Sequence, residues 1–180
     1  MVYVFLADGF EEMEAIAPID LLRRGGVQVK TVGVGTKIVC GAHGIPFICD
    51  IEEGEIVTEG MEMVVLPGGM PGTANLDKSE AVERCLALAK QQGLWVGAIC
   101  AAPSVLGHKG LLQGKRATCF PGFEQELTGA EFTGAAVEQD GKIITAKGAG
   151  AAVEFALKLV EALKGASQAQ GLKEAIQCQE

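Results

Sequence analysis

Four apolar runs of strand length punctuate the chain, Val2 to Ala7, Val27 to Val32, Met63 to Leu66 and Leu94 to Ile99. Three of them are unbroken by polar residues, while Gln28, Lys30 and Thr31 interrupt the second, and this continuity suggests burial on both sides in a parallel sheet covered by helices. Helical patterns lie between and after them. Asp77 and Glu80 are spaced as a capping box, Val82, Cys85, Leu86 and Ala89 then mark one stripe, and Gly93 is placed to close that helix. From about Ala152 to Leu163, Val153, Ala156, Leu157 and Val160 form a second stripe, with Glu154 and Lys158 paired at i,i+4 on the other side. Strand and helix in alternation predict an α/β fold, a doubly wound sandwich with a mostly parallel central sheet. Ligands of such a sheet bind beyond the carboxyl ends of its strands.

Lys37 to Cys40 and Ile45 to Cys49, separated by Gly41-Ala42-His43-Gly44, read as a small antiparallel hairpin beside the main sheet. With 180 residues, 48% of them hydrophobic, and no repeat or linker, residues 1–180 are expected to form one domain. The segment from Gly165 is polar, Leu172 to Ile176 reads as a short docked helix, and Cys178 is expected to be solvent-accessible. Fifteen basic against 23 acidic residues give a net charge of −8, which opposes binding to nucleic acid or anionic membrane. No apolar run reaches membrane-spanning length, and Met1 to Phe10 lacks the basic flank and cleavage pattern of an export signal, so a cytoplasmic location is expected. The six cysteines form no Cys-x-x-Cys pair and only His43 and His108 could assist them, which suggests neither a zinc site nor a disulfide framework.

Chemistry concentrates in three segments. In Leu94-Trp95-Val96-Gly97-Ala98-Ile99-Cys100-Ala101-Ala102-Pro103-Ser104 an apolar strand runs into a cysteine, and Pro103 suits the first turn of a following helix. Small neighbours leave room for a sharp elbow exposing Cys100, and the helix terminus is expected to favour its thiolate. Cys85, on an apolar helix stripe, reads as a packing residue instead. The loop after the first strand, Asp8-Gly9-Phe10-Glu11-Glu12-Met13-Glu14, supplies three glutamates for proton traffic or for dipole compensation, and periodicity does not choose among them. Their helix is apolar on nearly every side, as if held between the sheet and another surface. In Leu66-Pro67-Gly68-Gly69-Met70-Pro71-Gly72 a buried strand ends in a Gly-rich turn whose amides could face an oxyanion, or that serves as a plain turn. Gly33-Val34-Gly35 lacks the third glycine of a dinucleotide fingerprint, and no Walker sequence occurs.

Taken together, Gly9 with Glu11-Glu12-Met13-Glu14, Ile19-Asp20-Leu21-Leu22-Arg23-Arg24-Gly25-Gly26, Leu66-Pro67-Gly68-Gly69, Ala98-Ile99-Cys100-Ala101-Ala102-Pro103 and Val153-Glu154-Phe155-Ala156-Leu157 resemble the ThiJ/PfpI superfamily, specifically its DJ-one branch with the bacterial DJ-one-like proteins. The match spans nearly the whole chain. It implies a flavodoxin-like sandwich and a homodimer packed around the first helix. It also implies Cys100 as an oxidisable nucleophile, Glu14 as a protonated acid on its sulfur, and the amides of Gly69 and Ala101 bordering the site. PfpI-type peptidases carry histidine directly after the cysteine, where this chain has Ala101, so peptidase activity through that dyad is not expected. Animal members place a histidine before a nearby proline, where this chain reads Cys119-Phe120-Pro121, so no Cys-His dyad is assigned.

The activity implied needs no cofactor. Cys100 would add to the aldehyde of a small 2-oxoaldehyde such as methylglyoxal without glutathione, as a glyoxalase of type III, or would begin the related deglycase reaction on early glycation adducts. The alternative is a stress-protective or chaperone-like protein tuned by oxidation of Cys100. Cys119 is a candidate second thiol that could resolve a Cys100 sulfenate, its plainer role being to pack at a strand end.

Overall fold

In the structure, a computed structural model that describes residues 1–178, the chain runs through β1 (Val2–Leu6), α1 (Glu12–Arg24), β2 (Val29–Gly33), the hairpin β3 (Ile38–Cys40) and β4 (Pro46–Ile48), and β5 (Ile51–Glu52). It continues through β6 (Met63–Leu66), α2 (Gly72–Lys78), α3 (Glu80–Gln92), β7 (Trp95–Ile99), α4 (Pro103–His108), β8 (Arg116–Ala117) and β9 (Glu131–Phe132). β10 (Val137–Asp140), β11 (Ile143–Ala146), α5 (Ala152–Lys164) and α6 (Ala166–Ala175) complete it. The central sheet has the order β10-β11-β7-β6-β1-β2-β5. Every neighbouring pair in it is parallel except β10 with β11. β3 and β4 pair antiparallel in a separate small sheet, as the Gly41 to Gly44 spacing predicts.

The unbroken hydrophobicity of β1 has a direct cause. Val2, Val4 and Leu6 enter one core with Ile19, Leu22, Phe155 and Leu159, while Tyr3 and Phe5 enter a second core with Val82, Leu86 and Val105. Side chains alternate across a strand, so a strand covered by helices on both faces must be apolar at every position. Gly97 of β7 lets α5 approach closely: a Cβ there would stand 2.8 Å from Leu159 Cδ2 and 3.1 Å from Phe155 Cζ.

Local punctuation differs from expectation in three places. Asp77 lies inside α2, and it is Ser79 that caps α3, its Oγ accepting from the Val82 N–H at 3.2 Å. Ser79→Ala is therefore expected to lower stability by about 1 kcal/mol, measured as a lower urea midpoint at constant slope. Gly93 closes α3 at φ 64° as expected. The last helix starts at Ala166 rather than near Leu172, because Ala169 and Leu172 bury one stripe in the α5 side of the core. The hairpin of β10 and β11 escaped the sequence reading because Glu138, Gln139 and Asp140 dilute its pattern. It turns at Gly141 and closes one edge of the sheet. Cys178 is half-buried, in a groove of about 700 Å³ beside α5 and α6. Among the described residues no helix is long and apolar enough to cross a membrane.

Candidate active site

The parallel sheet brings three loops together beyond its strand ends: the one after β1, the Gly-rich turn after β6, and the elbow after β7. Cys100 occupies the elbow with φ +66°, a left-handed conformation that cysteine adopts only when its surroundings impose it. They do so through the backbone: the Cys100 N–H donates to Ala146 O at 2.9 Å, and its carbonyl accepts from the Phe120 N–H at 2.8 Å. Ala101 and Ala102 are buried, and Pro103 opens α4 as predicted. Cys100 itself stays partly exposed.

The three glutamates of the first loop have separate tasks. Glu11 caps α1, its Oε2 accepting from the Glu14 N–H at 2.7 Å. Glu12 turns toward the β3–β4 loop, where it takes the His43 N–H at 2.8 Å and meets His43 Nδ1 at 2.7 Å. Glu14 is 1% exposed and takes the Gly68 N–H on Oε2 at 2.9 Å, and its carboxyl lies near enough to the Cys100 thiol for each to shift the other's titration. A Cβ on Gly68 would stand 2.6 Å from both Glu14 Oε2 and Cys100 Cβ, so the absence of a side chain there is what lets the two groups meet.

Burial pushes the Glu14 carboxyl up to about 7, reinforced by the negative charge of Glu11. The Cys100 thiol and the amides of Gly68 and Ala149 pull it the other way. Ala149, just ahead of α5, is a contributor with no signal in the sequence. Burial, then the Glu14 carboxylate, push the Cys100 thiol up to about 12, opposed by the N–H groups of Gly69 and Ala101. The Ala101 amide ahead of α4 pulls toward the thiolate in the expected direction, but α4 is short and begins only at Pro103, and desolvation outweighs that pull. A sulfur anion at neutral pH instead requires the proton to rest on Glu14, and the two groups titrate as a unit.

A pH dependence follows from Glu14. In the folded protein it holds its proton up to about 7, whereas the unfolded chain releases it near 4.5. The folded state thus binds more protons across that window, and its stability falls as pH rises through it, by something on the order of 3 kcal/mol. Glu14→Gln is expected to flatten that part of the decline, read as the difference between variant and wild-type urea midpoints at pH 5 and pH 8.

The other polar candidates lie apart. Cys119 is fully buried in the α3 and α4 side of the core, opposite the side against which Cys100 packs, and burial pushes its thiol up to about 11. Its neighbour Phe120 donates its N–H to Cys100 O at 2.8 Å, and both cysteines are free thiols. His108, at the end of α4, bridges Asp77 and Glu126 at 2.9 and 2.7 Å. Glu11, Glu12 and His43 have oxygen and nitrogen atoms within 4.8 Å of one another, but these are engaged in the helix cap and the Glu12–His43 pair.

A doubly wound sheet with a left-handed cysteine at a strand-to-helix elbow, a buried glutamate against its sulfur and two backbone amides beside it defines a class, the flavodoxin-like proteins with a cysteine elbow. Within that class the chain belongs to the DJ-1/PfpI family, whose profile matches residues 1–162. It is 38% identical over 171 residues to protein DJ-1 homolog B of Arabidopsis thaliana, covering 93% of this chain and 39% of that protein, so it spans about two fifths of that plant relative. A Caenorhabditis elegans protein named glutathione-independent glyoxalase DJR-1.2 is 34% identical, with 90% of this chain and 87% of that protein covered. The structure of oxidized DJ-1 from Toxoplasma gondii superposes with a TM-score of 0.93 at 36% identity, over 97% of this chain and 96% of that one.

Proposed function

We propose that this protein is a cofactor-independent enzyme for small 2-oxoaldehydes, a glutathione-independent glyoxalase or a deglycase acting on their early adducts. The observation that carries this reading is the buried Glu14 carboxyl meeting Cys100 over Gly68, with the Gly69 and Ala101 N–H groups bordering the thiol. The Cys100 thiolate attacks the aldehyde carbon of methylglyoxal, forming the C–S bond. The carbonyl oxygen becomes an alkoxide stabilised by the Gly69 and Ala101 amides and takes the proton held by Glu14, giving a hemithioacetal and leaving Glu14 ionised. Glu14, as carboxylate, removes the hydrogen on that carbon and returns a proton to the neighbouring carbon through an enediol, leaving a thioester. Water cleaves the thioester to lactate and frees the sulfur. Lactate formed in excess over protein without glutathione is the test; consumption limited to one equivalent would overturn the proposal.

The same donors favour a second reading. Two amides and a protonated Glu14 would equally hold the oxygens of a Cys100 sulfinate, making the site a peroxide sensor. A sensor changes once per chain, so counting turnovers separates the two.

A homodimer belongs to the proposal. α1 packs on α5 but leaves Met13 60%, Ile16 42% and Val153 39% exposed, around a depression of about 480 Å³ that begins at Glu12. An apolar patch of this kind beside the site is what a second copy would cover. Light scattering is expected to return twice the chain mass, and Ile16→Glu about half that value.

A further inference from the structure

Glu11 does more than end a helix. Its backbone N–H donates to Gly68 O at 2.9 Å, the Gly68 N–H donates to Glu14 Oε2 at 2.9 Å, and the Glu14 N–H donates to Glu11 Oε2 at 2.7 Å. The three bonds form a closed ring joining the loop after β1, the first turn of α1 and the Gly-rich turn after β6. Gly69, next in that turn, seals it: at φ +88° it approaches so closely that a Cβ would stand 2.4 Å from Glu11 N. Each bond in the ring restrains the others, so the Glu14 carboxyl is held in one position against Cys100.

We propose that Glu11 is a positioning residue for the Cys100–Glu14 pair: its ring of hydrogen bonds aims the Glu14 carboxyl at the sulfur, and its negative charge keeps the shared proton on Glu14. The inference rests on the reading that Cys100 and Glu14 react as a pair. The groups facing Glu14 are Cys100 from the elbow after β7, the amides of Gly68 and Ala149, and the Glu11 carboxylate capping its own helix. His43, paired with Glu12, is the nearby basic side chain, raised by Glu12 first and also by Glu11. Glu11 is bonded to Glu14's own N–H, and its charge raises the Glu14 carboxyl. Its anion therefore disfavours ionised Glu14, and a neutral Glu14 is the form that can donate to a thiolate.

The test is the pH dependence of Cys100 alkylation by iodoacetamide in wild type, Glu11→Gln, Glu11→Ala and Glu14→Gln, with Cys100→Ala subtracting the other thiols. This readout needs no dicarbonyl turnover. Glu11→Gln keeps an oxygen for the cap and loses the charge. It is expected to move the midpoint near 7 down by about one pH unit and to slow alkylation at pH 7.5 several-fold. Glu11→Ala also opens the ring and is expected to lower the rate further, about tenfold against wild type. A midpoint and rate unmoved in both Glu11 variants, while Glu14→Gln abolishes the midpoint, would overturn the role of Glu11. A profile indifferent to Glu14→Gln would instead overturn the pair itself. A circular-dichroism melt of each variant shows whether slower alkylation accompanies a folded chain.

Discussion

Cys100→Ala is expected to bring lactate formation from methylglyoxal down to background, a loss of at least about a thousandfold, while the fold survives. Alanine has a Cβ and no sulfur, so every step that passes through the C–S bond is lost, whereas Cys100 is partly exposed and contributes little to either core. Relief of the left-handed cysteine is not expected, since alanine meets the same torsion. Glu14→Gln separates proton transfer from binding. The amide can still take the Gly68 N–H and donate to sulfur, but it cannot remove a hydrogen from carbon, so turnover is expected to fall about a hundredfold or more with stoichiometric adduct formation retained. Mass spectrometry of the stalled adduct, beside the lactate assay, checks both claims. Full turnover in Cys100→Ala would place the reaction elsewhere in the molecule.

The second large effect concerns a residue without a side chain. Gly68→Ala is expected to cost about 1–3 kcal/mol of stability and to reduce turnover about a hundredfold. The new methyl would stand 2.6 Å from Cys100 Cβ, 2.6 Å from Glu14 Oε2 and 3.0 Å from Ile99 O. Backbone cannot retreat as a flexible side chain can, so the Glu14 carboxyl is the group that must leave. Gly54→Ala serves as the control, because a Cβ there meets nothing within 4 Å. Thermal melts and the lactate assay on both variants decide the matter. Wild-type turnover in Gly68→Ala would show that the turn after β6 yields and that the Glu14–Cys100 contact is not required.

Much of this architecture was legible in the residues. Continuous apolar runs announced strands covered on both faces, Gly93 marked the end of α3, and Pro103 marked the start of α4. These features are local, being consequences of torsion, periodicity and the donors a helix end leaves open. The elbow was legible too, since an apolar strand followed by Cys100, Ala101 and Ala102 can turn sharply. Legibility failed where the pattern was diluted or the decision was distant. β10 carries too many polar residues to announce itself, and Ser79 rather than Asp77 caps α3 because the chain breaks between α2 and α3 at that residue.

By itself, then, the sequence determined the alternation of covered strands and helices, the elbow at Cys100, a Gly-rich turn after β6, and, through resemblance, the choice of Glu14. Tertiary structure alone decided what those groups are chemically. It sent Glu11 to a cap, Glu12 to His43 and Glu14 to the sulfur, brought in the Ala149 amide, and placed Cys119 in the opposite core. It also set burial against the amides at the cysteine, raising both acids of the pair. The physical reason is that desolvation and hydrogen-bond partnership depend on which loops a parallel sheet gathers at its carboxyl edge, and residues far apart in the chain carry no local mark of that encounter.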